Sequence, residues 1–382
     1  MTGYYQKIKP SSPNLETRLR FNWNAGFAED PFNESGIYYG SQFVHKTDDK
    51  GQTWKIISPD LTTNNPEHQK KDYGGLTLDV SGAEVYNSIL AIAPSPIDST
   101  ILWVGTDDGQ LSLSIDGGGT WNNLTSNVRG MPKEAWIARI FASTHDAKTA
   151  WLIVNNYRKG DYKPYLFVTN DLGKSWKSVL AEGVVKGYSL SFIQDPEVEN
   201  LLYLGTEQGL WISKDKGANW VQFKNGFPSV STMDLKIQKR ESALIVGTFG
   251  RAIWILDDLK SLREMVTNKT TANIRALPMN DVVQVKGLFI APPGNIWSGF
   301  HTTFEGKNKV FQKTKIPFVL ASDMDTAKYV TAKIYAGSGK KINEVKQKNN
   351  VKGLNYLIWK LDEKSTHLPG AWIHEELSLI HI

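Results

Sequence analysis

The chain has 382 residues, 40% apolar, 22% charged and 11% aromatic, an ordinary folded composition with material for a large core or two domains, which excludes disorder and a coiled coil. It contains no cysteine, so disulfides, thiolate nucleophiles and Cys-ligated metal centres are excluded as well. Lys plus Arg is 44 against 39 Asp plus Glu, and the whole excess of +5 lies in 301–382 (13 Lys, no Arg, 8 acids); the first 300 residues balance at 31 each, which is not the footprint of a nucleic-acid groove binder.

No apolar run reaches the 18 or so residues of a membrane-spanning helix, and Met1-Thr-Gly-Tyr-Tyr5 is not a signal peptide. Both ends read as cut from a longer gene. The last six residues, Leu377-Ser-Leu-Ile-His-Ile382, match translation of a transposon end used in sequencing-library preparation, so 377–382 is expected to be a sequencing artefact.

From residue 47 onward a short pattern returns four times: Ser or Thr, any residue, Asp, any, Gly, any, a small polar residue, Trp. The copies are Thr47-Asp-Asp49-Lys-Gly51-Gln-Thr53-Trp54, Ser114-Ile-Asp116-Gly-Gly118-Gly-Thr120-Trp121, Thr169-Asn-Asp171-Leu-Gly173-Lys-Ser175-Trp176 and Ser213-Lys-Asp215-Lys-Gly217-Ala-Asn219-Trp220. The Asp-to-Asp intervals are 67, 55 and 44 residues. A Gly two places after the Asp permits positive φ, the carboxylate is placed to accept bonds from backbone N–H and hydroxyl groups, and the Trp opens an outer strand with its ring buried between sheets. Asp49, Asp116, Asp171 and Asp215, with Trp54, Trp121, Trp176 and Trp220, are therefore expected to be structural.

Eight to ten residues upstream of three of these Asp positions lies an apolar run ending in Gly-Thr-x-x-Gly or a relative of it. It appears at Tyr39-Gly-Ser-Gln42, Val104-Gly-Thr-Asp-Asp-Gly109, Leu204-Gly-Thr-Glu-Gln-Gly209 and, in a fifth unit without the Asp pattern, Val246-Gly-Thr-Phe-Gly250. Further apolar segments precede each run, so every unit reads as four short strands. The units fall near 21–59, 86–125, 136–181, 187–224 and 232–258, the size of a propeller blade. Five blades with two bare edges predict either part of a larger ring, the favoured reading, or ends that pair with each other.

After Leu262 the repeat stops. Ile274-Arg-Ala-Leu-Pro278 and Val282-Val-Gln-Val285 are expected to return a strand to the ring, with a connector through Pro292-Pro-Gly294 and 299–309. Strands resume at Pro317–Leu320, Val330–Tyr335, Ile342–Val345 and Gly353–Trp359, with a hairpin at Gly337-Ser-Gly339. The expected layout is 1–265 partial propeller, 266–310 closing strand and connector, and 311–376 truncated β-sandwich.

The Asp pattern resembles the Asp-box, or BNR repeat, of sialidases, family 74 xyloglucanases and the sortilin ectodomain. Residues Arg20 to Leu262 resemble the sortilin-like, BNR-repeat "glycosyl hydrolase" group of bacteria through Ile57-Ser-Pro-Asp-Leu61, Trp103–Gly109, Ile245–Arg251 and Trp254-Ile-Leu-Asp-Asp258. Gly353-Leu-Asn-Tyr-Leu-Ile-Trp359 resembles a strand of small immunoglobulin-like modules of secreted bacterial proteins. The resemblance implies an all-β chain, a β-propeller followed by an immunoglobulin-like sandwich, exported in full-length form to the periplasm or outside the cell.

Antiparallel order puts the Asp turns and the Gly-Thr turns on opposite faces of the ring, the latter sharing a face with the blade-to-blade connections. Ligand-binding candidates on that face are Gln42, Asp107, Asp108, Glu207, Gln208 and Arg251, joined by Tyr157 and Arg158 from the long insert Asn155–Tyr162. Acids, amides, rings and Arg suit a polysaccharide or protein ligand. Asp-Asp-Gly and Glu-Gln-Gly are equally good hairpin turns without any function. A non-catalytic binding propeller is the first reading. The alternative is a glycoside hydrolase of the two-propeller, xyloglucanase type, with Asp107 or Asp108 facing Glu207 as the catalytic carboxylates. A sialidase is excluded because Ile137-Ala-Arg139-Ile140 is not its Arg-Ile-Pro motif and the Arg residues are too scattered for a triad. No metal or cofactor is expected: His45 and His145 lack partners at metal-ligand spacing.

Overall fold

The computed structural model describes residues 8–69, 86–224, 226–256, 259–268, 272–279, 314–324, 328–348, 350–359 and, for the backbone, 379–381. Two compact units divide at residues 257 and 258.

The first unit is a run of β-propeller blades, four of them antiparallel four-stranded sheets in sequential order. Blade 1 is β1 (Phe27–Asp30), β2 (Asn33–Gly40), β3 (Val44–Thr47) and β4 (Lys55–Ile56). Blade 2 is β5 (Ile89–Pro94), β6 (Leu102–Thr106), β7 (Leu111–Ser114) and β8 (Asn122–Asn123). Blade 3 is β9 (Trp136–Ala142), β10 (Ala150–Asn156), β11 (Asp161–Thr169) and β12 (Lys177–Ser178). Blade 4 is β13 (Ser189–Gln194), β14 (Leu202–Thr206), β15 (Gly209–Ser213) and β16 (Val221–Gln222). The fifth sheet, the unit without the Asp pattern, has three strands: β17 (Thr232–Gln238), β18 (Ala243–Thr248) and β19 (Ile253–Leu256). Its edge exposes Ile253, Trp254 and Ile255, and Phe27 is exposed on blade 1.

The cores lie between sheets. In β6, Trp103 packs toward blade 3 with Ile137, Leu152 and Phe167, while Leu102 and Val104 pack toward blade 1 with Tyr38 and Val44. In β10, Leu152 and Val154 face blade 2, and Trp151 and Ile153 face blade 4 with Phe192, Leu202 and Trp211. Strands covered on both faces read as continuous apolar runs, which is why alternation is weak in the sequence. The Gly of the Gly-Thr motif serves the same packing. A Cβ on Gly105 would overlap Ile137 of the next blade, and one on Gly40 would come within 2.8 Å of Ile89.

Each Asp turn is one hydrogen-bonded cage. In the second copy, Ser114 Oγ donates to Asp116 Oδ1 at 2.8 Å, Gly118 N donates to Ser114 Oγ at 2.8 Å, and Thr120 N and Oγ1 donate to Asp116 Oδ1 and Oδ2 at 2.8 and 2.7 Å. The other three copies repeat these four bonds. The bond from the Thr120 hydroxyl, then that from its N–H, holds the Asp116 carboxyl down at about 2; the Thr47 and Thr53 hydroxyls do the same for Asp49. These pKa values lie below the unfolded value of about 3.9, so the stability they add is present above pH ~4 and lost as pH falls toward 2.

The turn also joins blades. Gly118 has φ +100°, and a Cβ there would crowd Ile57 of blade 1 at 3.0 Å. The Trp121 indole donates to Ile57 O at 2.8 Å, Trp220 to Val179 O of blade 3 at 3.2 Å, and Trp54 to Ile8 O at 2.8 Å. Trp176 differs: its Nε1 is buried without an acceptor and its ring sits edge-on to Trp103 of blade 2 at 5.8 Å.

In the second unit, α1 (Leu259–Thr267) is followed by two three-stranded sheets. One is ordered β20 (Ile274–Ala276), β21 (Thr314–Leu320), β24 (Gly353–Trp359); the other is β23 (Lys341–Gln347), β22 (Val330–Tyr335), β25 (Leu379–His381). Ile316, Phe318 and Leu320 share one core with Val330, Ile334, Leu357 and Trp359, so the two sheets form a sandwich. One expectation is corrected: the segment at Ile274 does not return to the ring but pairs antiparallel with β21, Ile274 opposite Leu320. The β-branched and apolar face of β21 offers it an edge inside its own unit. Val282–Val285, Pro292–Gly294 and 299–309 lie outside the described residues.

Trp220→Phe removes two bonds from the indole N–H, to Val179 O and Gly217 O, and is expected to cost about 1–2 kcal/mol more in urea unfolding than Trp176→Phe, which loses the same ring volume but no hydrogen bond. Equal losses from both variants would contradict a hydrogen-bonded key between blades.

Candidate functional site

One face of the propeller carries the turns between second and third strands together with the connections from each fourth strand to the next blade. The same backbone bond recurs there: Asp107 N to Ser88 O, Glu207 N to Tyr188 O and Phe249 N to Ser231 O, at 3.0, 3.1 and 2.9 Å. Each turn is thus stitched to the connection entering its own blade.

This stitching uses several of the residues that the sequence offers as ligand contacts. Gln42 is buried; its Oε1 accepts Arg20 N at 2.9 Å and its Nε2 donates to Arg18 O at 3.0 Å. Asp107 has no exposed surface and accepts Ser88 N at 2.9 Å, Ser88 Oγ at 2.7 Å and Asn22 Nδ2 at 3.1 Å. Asp108, equally buried, accepts Thr63 N and Oγ1 at 2.8 and 2.7 Å and is bonded by Asn87 and Thr106. These three side chains hold the incoming chain in place. Burial pushes the Asp107 carboxyl up to about 6, with the neighbouring Asp108 adding to the rise and the bonds from Ser88 and Asn22 opposing it. At the fifth blade Arg251 is exposed and its carbonyl accepts the Trp254 indole at 2.8 Å.

Tyr157 and Arg158 behave differently. The β10–β11 turn is a short 3-10 helix, Tyr157–Lys159, closed by Gly160 at φ 77°. Asp161 anchors it by accepting Tyr165 OH at 2.7 Å, Lys163 N at 3.2 Å and Asn156 Nδ2 at 3.3 Å. Burial works against its charge, but these bonds prevail and keep the Asp161 carboxyl below its ordinary value. Lys159 pairs with Glu134 at 3.0 Å and so ties the turn to the connection entering blade 3.

From this anchored turn a row of rings extends across three blades. The Arg158 guanidinium carbon lies 3.2 Å from the Trp136 ring centroid and 4.3 Å from that of Tyr157. Tyr157 stacks on Tyr188 at 4.3 Å with planes 24° apart, and the exposed Tyr162 lies 6.3 Å from Tyr188. On the other side, Trp136 Nε1 donates to Tyr86 OH at 2.7 Å, and Tyr86 meets His68 edge-on at 5.4 Å. Glu207, half-buried, and Gln208, exposed, border the row: both come within 3.1 Å of where a Cβ on Gly187, next to Tyr188, would stand.

Of the residues in this row, the sequence offers Tyr157 and Arg158 through the length of their insert, and not Trp136, Tyr86, Tyr188 or His68. A usable signal was present: Tyr86, Trp136 and Tyr188 each fall within three residues of the start of a blade's first strand. Among the described residues no group of three or more His, Asp or Glu side chains is placed to hold a metal ion, and no described helix is long and apolar enough to cross a membrane.

Neither a protein-family model nor a curated protein sequence matches the chain. Solved structures similar to it include an ancestral GH74 enzyme, 15% identical with TM-score 0.41, covering 87% of this chain and 40% of that one. The GH74 xyloglucanase from Xanthomonas campestris is 15% identical with TM-score 0.43, covering 61% and 36%. YCF48 bound to D1 peptide is 15% identical with TM-score 0.39, covering 65% and 76%. The chain spans 40% or less of the length of the two GH74 structures.

The raised pKa of Asp107 fixes the sign of a pH effect. Its folded value of about 6 exceeds the unfolded value of about 3.9, so the folded state holds the extra proton between them and gains stability as pH falls through that window. Asp107→Asn removes this contribution. Its melting temperature relative to the parent is expected to be highest at pH 7 and to lose ground by pH 4.5; a constant difference would show that Asp107 titrates normally.

Proposed function

We propose that the chain is a recognition propeller of the Asp-box, sortilin-like group, exported in its full-length form, that binds a polysaccharide along the aromatic row of its connection face. The observation that carries this reading is the contiguous set Trp136, Arg158, Tyr157 and Tyr188, with exposed Tyr162 at its end. A pyranose presents an apolar face of C–H groups and a polar rim. Rigid rings with polar neighbours complement that surface at low cost in side-chain entropy. Glu207, Gln208 and Arg158 supply the donors and acceptors for hydroxyl groups.

A second reading, hydrolysis of the bound glycan, is favoured by one observation: the Asp107 carboxyl is protonated up to a pH of about 6, as a general acid requires, and its charge is felt by Tyr86 of the row. Its burial and its bonds to Ser88 and Asn22 favour binding without turnover.

A glycan array with a reducing-sugar assay separates the readings. Tyr157→Ala and Tyr188→Ala are expected to weaken glycan binding by roughly tenfold or more each, the loss typical of a stacked contact residue, with melting otherwise preserved. Sugar released by the parent and not by Asp107→Asn or Glu207→Gln would replace the binding reading with the hydrolase. No binding to any glycan would redirect the search to protein ligands.

A further inference from the structure

Arg158 differs from the paired cations of the propeller in having two aromatic rings and, among the described residues, no carboxylate against its guanidinium group. Arg20 pairs with Asp60 at 2.6 Å, Arg139 with Asp234 at 3.0 Å, Arg240 with Glu241 at 2.8 Å and Lys159 with Glu134 at 3.0 Å. Among the described residues no carboxylate pairs with Arg158. The acceptor bonded to its guanidinium group is the amide oxygen of Asn155, at the long distance of 3.5 Å. Two rings, Trp136 and Tyr157, press against the group and strip water from its faces. Ring contacts occupy the faces of a guanidinium and leave its N–H edge free, and that edge is the part that matches a carboxylate in two parallel bonds.

Further cations lie around it. Lys133, Lys163 and Lys186, all exposed, lie on the connection before blade 3, near the start of β11 and on the connection after blade 3. Two of the acids there are engaged, Glu134 by Lys159, and Asp161 by Tyr165, Asn156 and the Lys163 amide, while Glu207 borders the row on the side of Tyr188. Burial draws the Arg158 pKa below the ordinary guanidinium value, the direction of a charge short of counterions.

We infer that the ligand of the aromatic row is an acidic polysaccharide, a polymer containing uronate sugars, and that Arg158 binds the carboxylate of one of them. The inference rests on the polysaccharide reading above and narrows it. A uronate carries its carboxylate at the edge of the pyranose ring, so one sugar can lie on the tyrosine faces and direct its charge sideways to the guanidinium. An acidic peptide would satisfy Arg158 but would leave the exposed ring of Tyr162 and the half-buried ring of Tyr188 without an apolar face to cover.

Calorimetric titration with defined oligomers tests this. The probes are hexamers of galacturonate and of mannuronate, the methyl ester of the galacturonate hexamer, a neutral β-glucan hexamer and a Glu-rich hexapeptide. At least one uronate hexamer is expected to bind the parent tenfold or more tightly than the ester and the glucan, and to weaken with added salt. Arg158→Gln should erase that preference, and Arg158→Lys should keep only part of it, because an ammonium lacks the two-pronged geometry. Trp136 keeps its bond to Tyr86 and Tyr157 its stack on Tyr188 without the guanidinium, so both variants should melt close to the parent.

If the ester or the glucan binds as tightly as the uronates, or if Arg158→Gln keeps the preference, the carboxylate inference is overturned and the polysaccharide reading stands. If the peptide binds and no saccharide does, the polysaccharide reading itself falls.

Discussion

The Asp carboxylate in each of the four Asp-Gly-Trp turns is the contact on which the rest of the propeller depends. A fourth strand two residues long has almost no ladder of its own; β4, β8, β12 and β16 are all of this kind. What holds such a strand is the cage just before it, in which one carboxylate takes bonds from a hydroxyl, an amide N–H and a second hydroxyl or amide group. The cage fixes two successive left-handed residues, Lys50 with Gly51 or Lys216 with Gly217, at the point where the chain reverses. It thereby aims the following Trp at the blade before. Local hydrogen bonding is converted into packing between sheets, and the cores between blades 1 and 2, 2 and 3, and 3 and 4 are sealed at their outer edges by an indole belonging to the later blade.

The same chemistry on the opposite face gives a different result. Gln42, Asp107 and Asp108 also sit in tight turns and also spend their oxygens on nearby donors, but the donors belong to the chain arriving from elsewhere: Arg20, Asn22, Thr63, Asn87 and Ser88. Buried carboxylates of this sort stay because every oxygen is satisfied, and the cost of burial appears in the raised pKa of Asp107. Arg20 adds to the network through Asp60 and the Asn87 carbonyl, closing the connection between blades 1 and 2. The polar residues that look most like catalysts in the sequence are therefore those most needed to hold the connection face together.

This explains what could be read from the chain and what could not. The blades were legible because a cage needs a hydroxyl, an Asp, a Gly and a small polar residue at fixed offsets, and four such constellations in phase leave little freedom. The Gly of the Gly-Thr motif was visible too, though its role is the close passage of the next blade's inner strand at Gly40 and Gly105 rather than the turn itself. The path of Ile274–Ala276 was not legible, since three apolar residues say nothing about which edge they join. Trp136, Tyr86 and Tyr188 were hidden for a similar reason. At the start of a strand an aromatic residue reads as core, and only the placement of three connections side by side turns these rings into a surface.

That surface is assembled rather than local, and this ties its geometry to the architecture. Tyr86 precedes blade 2, Trp136 opens blade 3, Tyr188 precedes blade 4, and Tyr157 and Arg158 reach out from within blade 3. The 3.2 Å contact between Arg158 and Trp136 is made inside one blade, whereas the 4.3 Å stack of Tyr157 on Tyr188 crosses to the next. The spacing of the row therefore depends on how far blade 4 is rotated from blade 3. Phe192 stacking on Trp151 and the Trp220 bond to Val179 set that rotation on the inner and outer parts of the same interface. A ligand that reads several rings at once reads the angle between sheets, and the angle is fixed by the indole keys on the far face.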